Sequence, residues 1–218
     1  MTGTMNEIRH HPNDSLLMSY AAGTLPEAFS VVVAGHISLC EECRARLGAY
    51  EAIGGATLED LSEGSMRADS LSKTLSLIHG PEADRIVVER RESDLPAPIG
   101  DYVAGDMGDI PWRAVGGGVR QLKLDTAGVG TVRLIYIPGG QAVPDHSHNG
   151  LELTMVLSGA YNDETDRFGP GDVEVAGDDF EHRPIAEDGA PCICIAATDA
   201  PLKFRGLIPR LLGQVVGI

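Results

Sequence analysis

Two sets of metal-ligating residue types stand out along the 218-residue chain. Cys40 and Cys43 form a C-x2-C pair with His36 four residues upstream, and about 100 residues later His146 and His148 sit two apart with Glu152 close behind. On a helix, residues four apart lie one turn above each other. His36 and Cys40 can therefore aim at one atom, with Cys43 swinging in from the start of a following helix. One imidazole and two thiols suit tetrahedral zinc and leave one position open. The nearest spare ligand is His10 or His11, and a bond from there would clamp the chain's start onto the helices that follow. His146, His148 and Glu152 share parity, so on extended backbone they project to one side. The other two cysteines, Cys192 and Cys194, alternate with isoleucines in a β-branched run and share a face. They are candidate redox thiols, though small buried cysteines in strands more often serve as packing.

Helices must position the first set. Asn13 can cap a helix through Tyr20 that Gly23 ends, and Pro26 opens a second carrying Phe29, Val32 and Val33 towards Ile37. A third is expected from about Glu42 to Tyr50, stopping before Gly54-Gly55, and a fourth from about Asp69 to His79. That fourth helix has Leu71, Leu75 and Ile78 on one face with no evident partner. Residues 80–98 read as a linker with a proline-stiffened end. Beyond it the second set falls among short β-rich runs: Val119–Leu124, Gly130–Ile137, Leu151–Leu157, Asp172–Val175 and Cys192–Ala197. Glycine-rich turns separate them, as in an antiparallel sandwich or barrel. The expectation is two domains: an all-α four-helix domain over 1–79 and an all-β domain over 99–218.

Composition narrows the partners. Seventeen basic against 32 acidic residues give a net charge of −15, and both halves of the chain are acidic. Phosphate backbones need a basic face, so direct nucleic-acid binding is not expected, whereas a basic protein partner is. No apolar run approaches a membrane span, the first eleven residues are too polar for a signal peptide, and mean hydropathy is −0.03. A cytoplasmic protein is expected.

His36-x3-Cys40-x2-Cys43, with an upstream histidine pair and four helices, resembles the zinc-binding anti-sigma family, and the stretch His10-His11 to Tyr20-Ala21-Ala22-Gly23-Thr24-Leu25 is similar to its ChrR branch. That resemblance makes His11, rather than His10, the fourth zinc ligand. It implies an extracytoplasmic-function sigma factor as partner, with Leu71, Leu75 and Ile78 as candidate contacts. Gly140, His146, His148, Glu152 and Gly159 match the first cupin motif at every spacing, which adds a cupin fold to the β-rich half. Cupins bring a further histidine from a strand about ten residues after a Gly-Asp turn, and His182 after Gly171-Asp172 fits. The usual Pro-x-Gly before it reads Gly177-Asp178-Asp179 here. Three imidazoles and a carboxylate accept Zn, Fe, Mn or Ni, and the resemblance favours zinc. It further implies release of the sigma factor on singlet-oxygen or hydroperoxide stress, sensed at the cupin site, with no catalytic residue. The competing readings are a cupin metalloenzyme, a dioxygenase or hydrolase of small organic acids or diketones, and a metal store.

Overall fold

The computed structural model describes residues 7–80, 93–103, 106–143, 150–178 and 180–200, together with the backbone of 146–147 and 203–204. Four helices come first: α1 (Asp14–Ala21), α2 (Glu27–Leu39), α3 (Glu41–Glu59) and α4 (Ser70–Ile78). Most of the expected linker, residues 81–92, lies outside the described residues. The chain then makes a one-turn helix α5 (Ala97–Gly100) before twelve strands. These are β1 (Arg113–Gly116), β2 (Val119–Leu124), β3 (Thr131–Ile137), β4 (His146–Ser147), β5 (Glu152–Ser158), β6 (Tyr161–Asn162), β7 (Arg167–Phe168), β8 (Val173–Ala176), β9 (Glu181–His182), β10 (Ile185–Ala186), β11 (Cys192–Thr198) and β12 (Lys203–Phe204).

Local chemistry sets the helix ends. Asn13 Oδ1 accepts from the Leu16 amide at 3.0 Å, and Gly23 closes the turn after α1 at φ +67°. Cys40 is at once the C-cap of α2 and the N-cap of α3, its sulfur accepting from the Cys43 amide. Helix α3 outruns the expected stop at Tyr50 and continues to Glu59 through Gly54-Gly55. Two glycines cost a helix about 1 kcal/mol each against alanine, and the good helix formers Ala52, Ala56 and Leu58 around them carry it on. From Glu51 to Met66 every side chain is exposed. Helix α4 has no buried residue at all.

The β-rich part is a sandwich. One six-stranded antiparallel sheet has the order β1-β2-β3-β11-β5-β8, and two small sheets, β10-β6-β7 and β12-β4-β9, complete it. The helices do not stand apart from it. Helix α2 packs on β3, β5 and β11, and also against α1, α3 and α5. It is accordingly buried nearly all round: Ala28, Phe29, Val31, Val32, Val33, Gly35 and His36. Gly35 is what lets it come so close, since a Cβ there would lie 2.8 Å from Ile99 Cδ1 and 2.9 Å from Met155 Cε. Glu27 fastens the start of α2, accepting from Tyr102 Oη and from the Ala127 amide, both at 2.6 Å.

The central sheet is therefore covered on both faces, and the alternation of its strands separates two jobs. Val132, Leu134, Leu153, Met155, Val173, Ile195 and Ala197 turn outward into one core shared with α1 and α2. Ile137, Val156, Cys192 and Cys194 turn inward to pack with Tyr161, Phe168 and Ala186. Glu152, Thr154 and Glu174, buried at one end of the sandwich, share parity with this inward set.

Candidate metal centres

His11, His36, Cys40 and Cys43 converge so that one donor atom from each lies within 4.8 Å of all the others. His11 Nδ1 is 3.4 Å from both sulfurs, and the rings of His11 and His36 stand nearly perpendicular. In a tetrahedral zinc site, Zn–S and Zn–N bonds of ordinary length put the sulfur and nitrogen ligands about 3.5 Å apart. The His36 Nδ1 meets the Gly171 carbonyl at 2.8 Å, while its Nε2 is buried with no hydrogen-bond partner. A buried, orphaned ring nitrogen beside two thiols is what a cation would satisfy. Burial pushes His36 down to about 4, and burial with the neighbouring Cys40 pushes the Cys43 thiol up to about 12. These four residues can bind a metal. His10, the other member of the pair, faces away from the thiols and packs its ring on Phe168 at 4.5 Å.

The turn that receives His36 belongs to the sandwich. Asp172, on the same turn, accepts from the Arg9 amide at 2.6 Å and the His10 amide at 3.0 Å through Oδ1. Its Oδ2 accepts from the Gly169 amide at 2.8 Å. The Val173 amide gives its hydrogen bond to the His10 carbonyl. Gly171 adopts φ +89°, and a Cβ on it would lie 2.6 Å from Ile8 Cδ1. The segment carrying His11 is thus pinned to the sandwich at Asp172 and at Val173, the first residue of β8.

Of the second set, Glu152 and His182 are buried in the sandwich end, and their charges act on each other. Burial pushes the Glu152 carboxyl up to about 7, against the nearby His182 and the hydroxyl of Thr154, which donates to it at 3.0 Å. The β4 and β9 backbones pair with His146 opposite His182; the side chain of His146 and all of His148 lie outside the described residues. His182 Nδ1 lies 2.9 Å from Glu174 Oε1 and 3.5 Å from Asp163 Oδ2. Tyr161 Oη donates to Glu174 Oε2 at 2.6 Å. Burial raises Glu174; it works against the charge on His182, but the surrounding carboxylates of Glu174, Glu152 and Asp163 hold that ring's affinity for a proton above the usual. The site joins the buried carboxylate of Glu152 to a buried imidazole whose Nδ1 is held by Glu174.

Sequence reasoning missed Glu174, Tyr161 and Asp163. A signal for one of them was present: in Val173-Glu174-Val175, a carboxylate alternates with β-branched residues in a strand, and an inward charge there needs a partner. Cys192 and Cys194 lie fully inside the sandwich at 0% and 3% exposure. Burial pushes Cys192 up to about 12 and also raises Cys194 well above the usual thiol range, so both are held as neutral thiols. Leu71, Leu75 and Ile78 are 71%, 43% and 67% exposed. A cleft between the two centres is bordered by Arg9, His10, His11, Phe168, Glu174 and Phe180. Among the described residues no helix is long and apolar enough to cross a membrane.

Comparison with known proteins covers both parts of the chain. Residues 101–200 match the family model described as the ChrR cupin-like domain. The chain is 53% identical over 205 residues to the anti-sigma-E factor ChrR of Cereibacter sphaeroides, covering 94% of this chain and 96% of that one. In the crystal structure of Rhodobacter sphaeroides SigE in complex with the anti-sigma ChrR, the matched chain superposes with a TM-score of 0.80 at 53% identity, covering 88% of this chain and all of that one.

Proposed function

The chain belongs to the ChrR family of anti-sigma factors, and from that premise we propose that it sequesters an extracytoplasmic-function sigma factor in the cytoplasm, as a regulator rather than an enzyme. The observation that carries this reading is the 53% identity running through both halves to a protein named as an anti-sigma factor. The exposed apolar side chains Ile53, Leu58, Leu61, Met66, Leu71, Leu75, Leu77 and Ile78 support it. A run of this kind along the end of α3, the segment after it and α4 is uncommon on a protein without a partner. We assign sequestration to residues 1–79 and sensing to residues 99–218, joined by 80–98.

In this reading zinc occupies His11, His36, Cys40 and Cys43, where it supplies the bond energy that holds the start of the chain to the α2–α3 corner. His146, His148, Glu152 and His182 hold a second ion, zinc by preference over iron, manganese or nickel. Release follows when singlet oxygen or an organic hydroperoxide changes this second centre. A ligand or modification shifts a conformational balance only by acting differently on the two states, so the sensing residues must differ between the bound and released forms.

In vitro transcription by a SigE-like extracytoplasmic-function sigma factor from the same organism tests the proposal. Addition of the full-length protein should stop transcription, and the Glu152→Gln variant should stop it equally while failing to release on exposure to singlet oxygen. Undiminished transcription with the native chain sinks the sequestration reading. Normal release by Glu152→Gln sinks the division of labour.

A further inference from the structure

The ligands of the thiol centre come from the helical part, yet the groups that hold its two histidines belong to the sandwich. His36 is fully buried, and its Nδ1 lies 2.8 Å from the Gly171 carbonyl, 135 residues away in sequence. A carbonyl oxygen can only accept, so the ring proton sits on Nδ1. That leaves Nε2, buried with no hydrogen-bond partner, as the bare nitrogen beside the thiols. His11 is turned the other way round, with Nδ1 3.4 Å from both sulfurs. Its Nε2 is 3.8 Å from Glu42 Oε2, beyond hydrogen-bond range, and the Glu42 side chain is 67% exposed. His11 is therefore placed by its backbone. Asp172 Oδ1 accepts from the Arg9 and His10 amides at 2.6 and 3.0 Å, and the Val173 amide donates to the His10 carbonyl at 3.0 Å. Ile8 covers Gly171 so closely that a Cβ there would meet it at 2.6 Å. One turn of the sandwich, residues 169–172, closed by the Asp172 amide on the Gly169 carbonyl, thus reaches both histidines.

We infer that this turn is the outer support of the thiol centre, with Asp172 and Gly171 as positioning residues: Asp172 sets the place of His11, and the Gly171 carbonyl sets the tautomer and tilt of His36. This rests on the reading of His11, His36, Cys40 and Cys43 as a zinc site. Groups that hold the far side of metal-binding imidazoles typically govern metal affinity by about 10–100-fold. Here they come from the half of the chain that contributes no ligand to this ion. How well the helical part retains its metal therefore depends on the sandwich. By linkage the converse holds: an ion at the thiol centre tightens the contact between residues 8–11 and the turn.

The test uses the full-length chain loaded with cobalt in place of zinc, with no sigma factor present. Thiolate-to-cobalt absorption in the near ultraviolet arises at Cys40 and Cys43 and not at a site of histidines and carboxylates. Its decay in excess chelator therefore times the loss of this ion alone. Asp172→Ala should speed the decay about tenfold or more, the lower end of the range for such supporting groups. Gly171→Ala, which strains a turn at φ +89° and pushes Ile8 aside, should speed it too. Asp172→Asn keeps an oxygen for the Arg9 and His10 amides and should recover most of the native retention. Glu42→Gln, at the far side of His11 but not bonded to it, should leave the decay nearly unchanged. Leu124→Ala separates a general loss of stability: Leu124 is buried on β2, with β3, β11 and β5 between it and β8. All variants are compared at the same interval below their own melting temperatures. A native decay in both turn variants, no recovery in Asp172→Asn, or an equal acceleration in Leu124→Ala overturns the inference. Absence of the absorption band from the native chain sinks the metal reading itself, and the inference with it.

Discussion

Asp172 accepts from three backbone amides, two of them 162 and 163 residues away in sequence. It is 4% exposed, so Asp172→Ala leaves amides at the edge of water with no acceptor. Leaving such groups unpaired costs on the order of 1–3 kcal/mol, which for a chain of this size lowers the melting temperature by roughly 2–4 °C per kcal/mol. Thermal melting of Asp172→Ala against the native chain checks this, and an unchanged midpoint would show that the turn does not anchor residues 9 and 10. How much of this was legible in the sequence differs from residue to residue. His36, Cys40 and Cys43 could be read directly, because helical spacing and the short C-x2-C interval confine them to one corner. The role of Asp172 could not, and Glu174 could be read only as an inward carboxylate in need of a partner, because only the fold brings Arg9 or Tyr161 to them.

At the level of elements, helices α1 to α4 and five of the six longer strands followed from caps, glycines and alternation, while β1 and the one-turn α5 did not. The two-residue strands β4, β6, β7, β9, β10 and β12 did not, since two residues show no period. The course of α3 escaped for a different reason: Gly54-Gly55 reads as a stop locally, but the penalty of two glycines is small beside the propensity of their neighbours. The outcome matters because α3 and α4 then present their apolar residues to water. Substituting Leu71, Leu75 and Ile78 together by alanine should leave the melting temperature nearly unchanged, since exposed positions rarely contribute more than about 0.5 kcal/mol. The same variant should bind the sigma factor about tenfold or more weakly, as expected when apolar anchors leave an interface. Fluorescence anisotropy with labelled sigma factor measures this. Native affinity in the triple variant would move the contact surface off α4.

For the molecule as a whole, the charge of −15 should speed encounter with a basic partner and make that rate sensitive to salt. Stopped-flow association should slow by about tenfold or more between about 0.05 and about 0.5 M salt, while dissociation changes little. A rate indifferent to salt would mean that the acidic residues do not steer the encounter. The expectation of two separate domains also needs a structural addition, because α2 and the central sheet share one apolar core. In β5, Glu152 faces one way and Leu153 and Met155 the other, so neighbouring codons answer to different constraints. A descendant gene that dropped the helices could not do so by deletion alone. It would also have to recode Val132, Leu134, Leu153, Met155, Val173, Ile195 and Ala197 as polar residues, one by one, without shifting the reading of the alternate positions that serve the opposite face. Loss of the first half is in that sense an evolutionary path with many steps, whereas change at the exposed end of α3 and in α4 is open to single substitutions.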